Sequence, residues 1–350
     1  MSRQPTYPEL DDPGDDNADA DLWFLPGPPE DEPAYFPPGP NATEPTEAAI
    51  LDDWRRAEAA SAARLARAAG RLGALDDRLK RGPEGWRHRL ALIEAAELSW
   101  FSGDRITADR LALWIALRLS GVQEDAAALA RVGWAVRRLS GGPGPEADLP
   151  EFLGRHDPEQ DTIDPFADPL AGRADSWQAM MLSGATLHPI TRACMGFHLW
   201  ALAGLGQQDD RLEAAVTAAR VAASEAQGVI FAPLAMGGAG GLRAGGAPPV
   251  RLARWLEGMD SALLTAMRHL DQIEAWNARA EAVMAPLSGR TPALLRKALA
   301  DWPLVSAPMA QVLTGASRAA VQRNLAWMEA HGLIREVTGQ GRFRMWRAAV

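Results

Sequence analysis

Residues able to do chemistry are sparse in this chain of 350, which has six histidines and one cysteine, Cys194. His188 and His198 lie ten positions apart with no third ligand nearby in sequence, short of the three or four ligands a zinc site needs. Cys194 stands among Ala, Met and Phe, where a thiol reads as a small buried hydrophobe. A lone cysteine excludes an intramolecular disulfide and fits a reducing, cytoplasmic setting. No GxSxG, HExxH or GxxxxGK[ST] occurs, and the glycines between 237 and 246 do not match GxGxxG and follow no strand. The acid pairs Asp52-Asp53 and Asp209-Asp210 fit helix N-terminal or solvated positions rather than a catalytic dyad. No cofactor and no metal are expected. The spacing that does point to chemistry is C-terminal. Arg318, Ala319, Gln322 and Arg323 share one side of a helical stretch whose other side is Val321, Leu325 and Met328. Arg342, Arg344 and Arg347 follow in an alternating stretch. Arginine and glutamine are the side chains that reach base edges and phosphates of duplex DNA.

The elements that must position these residues can be read around them. Thr291 and Pro292 open a helix presenting Leu294, Leu295 and Leu299, which closes at Asp301-Trp302-Pro303. Ser306 caps a short helix with Met309, Val312 and Leu313 inward. Thr314-Gly315-Ala316 form a tight turn, Ser317 caps a third helix, and His331-Gly332 stop it. Helix, three-residue turn, helix is the spacing of a helix-turn-helix. Leu333–Val337 and Phe343–Trp346 alternate like two strands around a turn at 338–342, so a β-hairpin follows the recognition helix and the whole reads as a winged helix. Trp327 falls beside the open face.

The rest of the chain supplies a mainly helical body. Residues 1–48 are rich in Pro, Asp and Glu and read as a disordered acidic tail interrupted by Trp23, Phe24, Leu25, Tyr35 and Phe36. From 49 to 285 the period is helical. Trp54, Ser61, Leu65, Ala68, Leu72, Leu75 and Leu79 mark one long helix. Further helices are predicted at 86–98, 108–119, 122–139, 174–183, 190–204 and 208–226. A long loop is expected over 141–172, and a flexible Gly-rich connection over 237–249. The stripe Leu252, Leu256, Met259, Leu263, Met267, Leu270, Ile273 then continues for several turns, long enough for both a core and a dimer contact. No apolar run approaches the ~18 residues of a membrane span, and the N-terminus has no apolar signal region. Charge is polarised: residues 1–50 carry net −11 and residues 286–350 carry net +6, against −9 overall. Global acidity argues against coating nucleic acid but leaves room for a basic C-terminal module.

The stretch SGRTPALLRKALADWPLVSAPMAQVLTGASRAAVQRNLAWMEAHGLIREVTGQGRFRMWRA resembles the helix-turn-helix end of the DUF1612-type family of uncharacterised rhizobial, often plasmid-borne proteins. It is also similar to the winged-helix tail of many Fic-domain proteins, in which a segment like LARWLEGMDSALLTAMRHLDQIEAW precedes the tail. Both resemblances cover residues 250–350 well and 50–249 loosely. The first implies a DNA-binding or regulatory role. The second implies transfer of AMP to a hydroxyl through a loop of pattern HPFxxGNGR, in which the histidine is the base, an acid holds the metal and the glycines and arginine hold phosphate. This chain has HPITRACMG at 188–196: His188 and Pro189 match, Ile190 replaces the aromatic, the acid is missing, and Ala193 to Gly196 stand where the phosphate loop would be. Glu94 or Glu97 loosely echoes the inhibitory glutamate of that family.

The leading expectation is therefore a cytoplasmic, non-enzymatic DNA-binding regulator with an all-helical body and a C-terminal winged helix over 286–350. Its partners are duplex DNA, a second copy of the chain, and an unidentified protein or small ligand on the body, with no membrane. The alternatives are a degenerate Fic-like adenylyltransferase body using His188, and a winged helix that docks on protein without touching DNA.

Overall fold

Trp54, Ser61, Leu65, Ala68, Leu72, Leu75 and Leu79 are all buried, as their spacing requires, but two helices carry them rather than one. In the computed structural model α1 (Glu47–Ala60) is capped by Thr46. α2 (Ala62–Arg81) follows after Ser61 leaves the helical region. The structure describes residues 46–117, 125–154, 170–206, 211–339 and 343–350. The acidic tail up to residue 45, Asp209-Asp210 and Arg342 lie outside the described residues, as do the start of the helix predicted at 122 and much of the loop predicted over 141–172. From Thr46 onward the chain forms one compact unit.

The body continues with α3 (Glu84–Phe101), α4 (Ala108–Leu117), α5 (Ala126–Ser140), α6 (Leu149–Leu153), α7 (Leu170–Ser183), α8 (Pro189–Leu199), α9 (Leu212–Ala222) and α10 (Pro248–Met284). α10 packs on α1 and α2, α3 on α5, and α8 on α9. Its stripe is buried throughout except for the half-buried Met267. Among the described residues no helix is long and apolar enough to cross a membrane.

The chain leading into the Gly-rich connection is pinned by two carboxylates. Asp76 Oδ1 accepts the amides of Gln227, Gly228 and Val229 at 3.1, 2.6 and 2.8 Å. Further along, the fully buried Glu94 accepts those of Leu234, Ala235 and Met236 at 2.7, 2.9 and 3.1 Å. Gly241 then crosses Gly258 of α10 so closely that a Cβ on either would overlap the other's backbone. A buried segment without helix or sheet must find acceptors for its amides elsewhere, and two carboxylates supply them. Burial lifts the Glu94 carboxyl to about 7, outweighing the three amide donors.

The C-terminal elements run α11 (Arg290–Asp301), β1 (Val305–Ser306), α12 (Ala307–Thr314), α13 (Arg318–Ala330), β2 (Ile334–Glu336) and β3 (Met345–Ala348). The strands form an antiparallel sheet in the order β1-β3-β2, with Val305 opposite Trp346 and Ile334 opposite Ala348. Four details correct the sequence reading. β1 was not foreseen, since two residues carry no alternation. The cap of α11 is Gly289, at φ 88°, with Thr291 inside the first turn. β3 begins at Met345, and Phe343 precedes it in a left-handed conformation, φ 58°. Val312 and Leu313 point outward, 83% and 43% exposed, while Ala310 and Thr314 take the inner positions of α12.

Candidate nucleic-acid interface

The turn before α13 is built as its residues dictate. Gly315 closes α12 at φ 62°, a conformation costly to a residue with a Cβ. The Ser317 hydroxyl then accepts the Ala320 amide at 3.3 Å to cap α13. Val321, Leu325 and Met328 face the core and are buried. The opposite face exposes Arg318, Ala319, Gln322 and Arg323. Among the described residues, Arg318, Gln322 and Arg323 make neither a hydrogen bond nor an ion pair. Trp327 is half-buried with its ring stacked on His331 at 3.7 Å, so it belongs to the helix end rather than to the open face.

The hairpin arginines have different surroundings. Arg344 Nη2 lies 3.2 Å from Glu329 of α13, and its guanidinium covers the Trp346 ring. Arg347 stands directly opposite Arg335 across the β2–β3 ladder, a like-charge pairing that by itself destabilises a sheet. Asp109 of α4 relieves it, with both carboxylate oxygens 2.9–3.0 Å from Arg347 Nη1. Arg347 therefore joins β3 to the body, beyond the turn that begins after Glu336. Glu336 holds that turn by accepting the amides of Thr338 and Gly339 at 2.8 and 3.0 Å.

Three more joints tie this region to the body. Arg89 of α3 donates to the carbonyls of Leu299, Ala300 and Trp302 at 3.3, 3.3 and 2.8 Å, satisfying acceptors that the end of α11 leaves open. Burial draws its guanidinium down to about 10, partly offset by Asp301. Trp276 Nε1 of α10 donates to Leu333 O at 2.7 Å, and Arg279 donates to Ala349 O at 2.6 Å. At Gly85, any side chain would collide with the Asp301 carbonyl.

His188 lies elsewhere, capping α8. Its Nδ1 accepts the Ile190 amide at 3.2 Å and its own amide donates to Glu58 at 2.9 Å. Its Nδ1 is thus engaged in capping α8. Arg55 and Glu58 line an open trough beside it, but Ile190, Ala193, Cys194 and Met195 are buried within a regular helix. A phosphate loop needs exposed backbone amides, and this helix has none there. His198 stacks near Trp54, and burial, then Arg251 and Arg211, draw its ring down to about 3, leaving it neutral. Burial pushes the Cys194 thiol up, as expected of an inert side chain. Glu94 serves the buried strap, while Glu97 is half-exposed with its carboxyl raised by burial. Among the described residues no group of three or more His, Cys, Asp or Glu could hold a metal ion.

No family model matches the chain, and no curated protein is significantly similar to it. Sequence reading missed Asp109 and Arg89, whose partners lie more than two hundred positions away. No local pattern marks such a pairing.

Proposed function

We propose that residues 286–350 are a winged helix-turn-helix that binds duplex DNA, and that the chain is a DNA-binding regulator. The order α11–β1–α12–α13–β2–β3, with β3 between β1 and β2, agrees with that reading. The observation that carries it is the face of α13, where two arginines and a glutamine are exposed with no protein partner while the core is supplied from the opposite side. In this reading α13 enters the major groove, with Arg318 and Arg323 on base edges or phosphates. Arg344 exchanges Glu329 for a phosphate when DNA binds, and Arg342 adds charge to the same hairpin. Arg347 contributes to docking on the body more than to DNA. The test is selection from a random duplex pool by the full chain, followed by titrations at several salt concentrations. Enrichment of one sequence, with affinity falling as salt rises, supports the proposal.

A protein partner is the second reading, favoured by one specific observation. Val312 on α12 and Phe343 before β3 are 83% and 73% exposed, and large apolar side chains in such positions suit a protein surface better than a phosphate backbone. Absence of any enriched duplex would put that reading first.

A further inference from the structure

Where the body meets α11, an open cleft of about 600 Å³ lies between three walls. The end of α2 contributes Arg81 and the start of α3 Trp86, α10 contributes Ile273 and Asn277, and α11 contributes Leu294 and Lys297. Its volume falls within the ~300–1,000 Å³ typical of small-molecule sites. The inner surface is apolar and the rim is charged, but the charges are unequally committed. Glu274 is held by Arg78 at 2.8 Å, and Arg296 by Asn277 and Glu281. Arg81 is held by Asp77. Asp301, which also lines the cleft, has its carboxyl raised by burial against the opposing pull of Lys297 and Arg89. Lys297 is exposed and makes no hydrogen bond or ion pair among the described residues. A second uncommitted donor is the indole of Trp86, a buried residue whose Nε1 has no hydrogen-bond partner.

From this arrangement we infer that the cleft is a binding site for a small organic monoanion with an aromatic or aliphatic body. Its apolar part lies against Trp86, Ile273 and Leu294, and its acid group pairs with Lys297. With Arg81, Arg296 and Glu274 already held, Lys297 is the cation of this rim left without an ion pair among the described residues, which favours an anion over a cation. The trough beside His188 differs in this respect, because its cation Arg55 is tied to Asp52 at 2.9 Å and Glu58 adds a carboxylate. The site does not depend on DNA binding. It adjoins the carbonyls held by Arg89, so an occupant there touches the end of α11 itself.

The test uses the full chain and two fluorescent probes, 8-anilino-1-naphthalenesulfonate and its uncharged relative N-phenyl-1-naphthylamine. Saturable binding of both is expected. Lys297→Met should weaken the sulfonate about fivefold, the size of one partly solvated ion pair, and leave the neutral probe unchanged. Ala293→Trp, an exposed position on the cleft wall, should weaken both. Equal loss of the two probes in Lys297→Met overturns the anion assignment. Wild-type binding in both variants, or no saturable binding at all, overturns the site. Circular dichroism of each variant keeps a folding defect separate from a binding one.

Discussion

Arginine does two different jobs in the two halves of this molecule. In the helical body it staples backbone carbonyls: Arg89 Nη2 holds the end of α11, and Arg220 holds the turn after α5 through the carbonyls of Arg138, Gly141 and Gly142. Arg78 binds both Asp271 and Glu274. On α13 the same side chain is left unengaged at Arg318 and Arg323. A guanidinium has five donors in a fixed fork, so it works equally well as an internal staple or as a reader of anions. Which job it does depends on whether acceptors already surround it. Net charge over a segment therefore overstates what is available to a partner: Arg347 counts toward the basic C-terminus, yet Asp109 of the body holds it.

The contrast can be broken at its staples first. Arg89→Ala strands three carbonyls at the end of α11, and the expected loss is about 3 kcal/mol or more in urea unfolding, given ~1–3 kcal/mol for each unmet buried group. A loss below about 1 kcal/mol would mean that water replaces the guanidinium, and Arg89 would cease to be a staple. A comparable effect is expected at Glu94, with a pH signature. Its folded carboxyl titrates near 7, above its ordinary 4.5. The contribution to stability is therefore fully present below about pH 4.5 and is lost as pH rises through 7. A shift of that size corresponds to roughly 3 kcal/mol. Glu94→Gln removes the titration, so the stability difference between variant and wild type, followed from pH 5 to pH 8, should move in the variant's favour. A flat difference would show that Glu94 does not titrate in that range.

At the unengaged cations the effects should move from stability to binding. Arg323→Ala is expected to change unfolding by less than about 0.5 kcal/mol. If the side chain reads a guanine, the variant should lose about 1–3 kcal/mol of discrimination between duplexes. Unaltered binding alongside unaltered stability would leave α13 without a role in recognition. The smallest effect belongs to Asp109→Asn. Releasing Arg347 from an exposed pair costs under about 1 kcal/mol of stability. Should Arg347 then reach a phosphate, the log-affinity against log-salt slope steepens by about one. An unchanged slope would fix Arg347 as purely structural.

Much of this was legible in the sequence. The stripes from Trp54 to Leu79 and from Leu252 to Ile273 named buried faces correctly, because helical period and burial are the same fact seen twice. Ser306 and Ser317 marked their helix starts through the local geometry of capping. The orientation of α12 was not legible, since Val312 and Leu313 are the apolar residues in its text while Ala310 and Thr314 fill the space beneath. Eight residues are too few for a period to decide. Nor was the pinning of residues 227–236, which no local pattern marks. What fixes that segment is a pair of carboxylates on α2 and α3, about 150 positions earlier. Of the α13 face, Arg318, Ala319, Gln322 and Arg323 were placed as expected, because three or four residues of spacing sufficed. The hairpin arginines were not separable, since only tertiary structure distinguishes a strand tip from its base.

α10 runs for 37 residues, beginning against α2 and ending with Trp276 and Arg279 bonded to the C-terminal strands. An uninterrupted helix of that length, about 55 Å, shares its amide ladder between the body and the last sixty residues. Local openings of the two regions are then one event rather than two. Amide protons of β2 and of α10 should exchange with solvent at matched rates under native conditions, and heating should give a single calorimetric peak. A fragment carrying the C-terminal elements alone would leave behind the helix on which they are mounted.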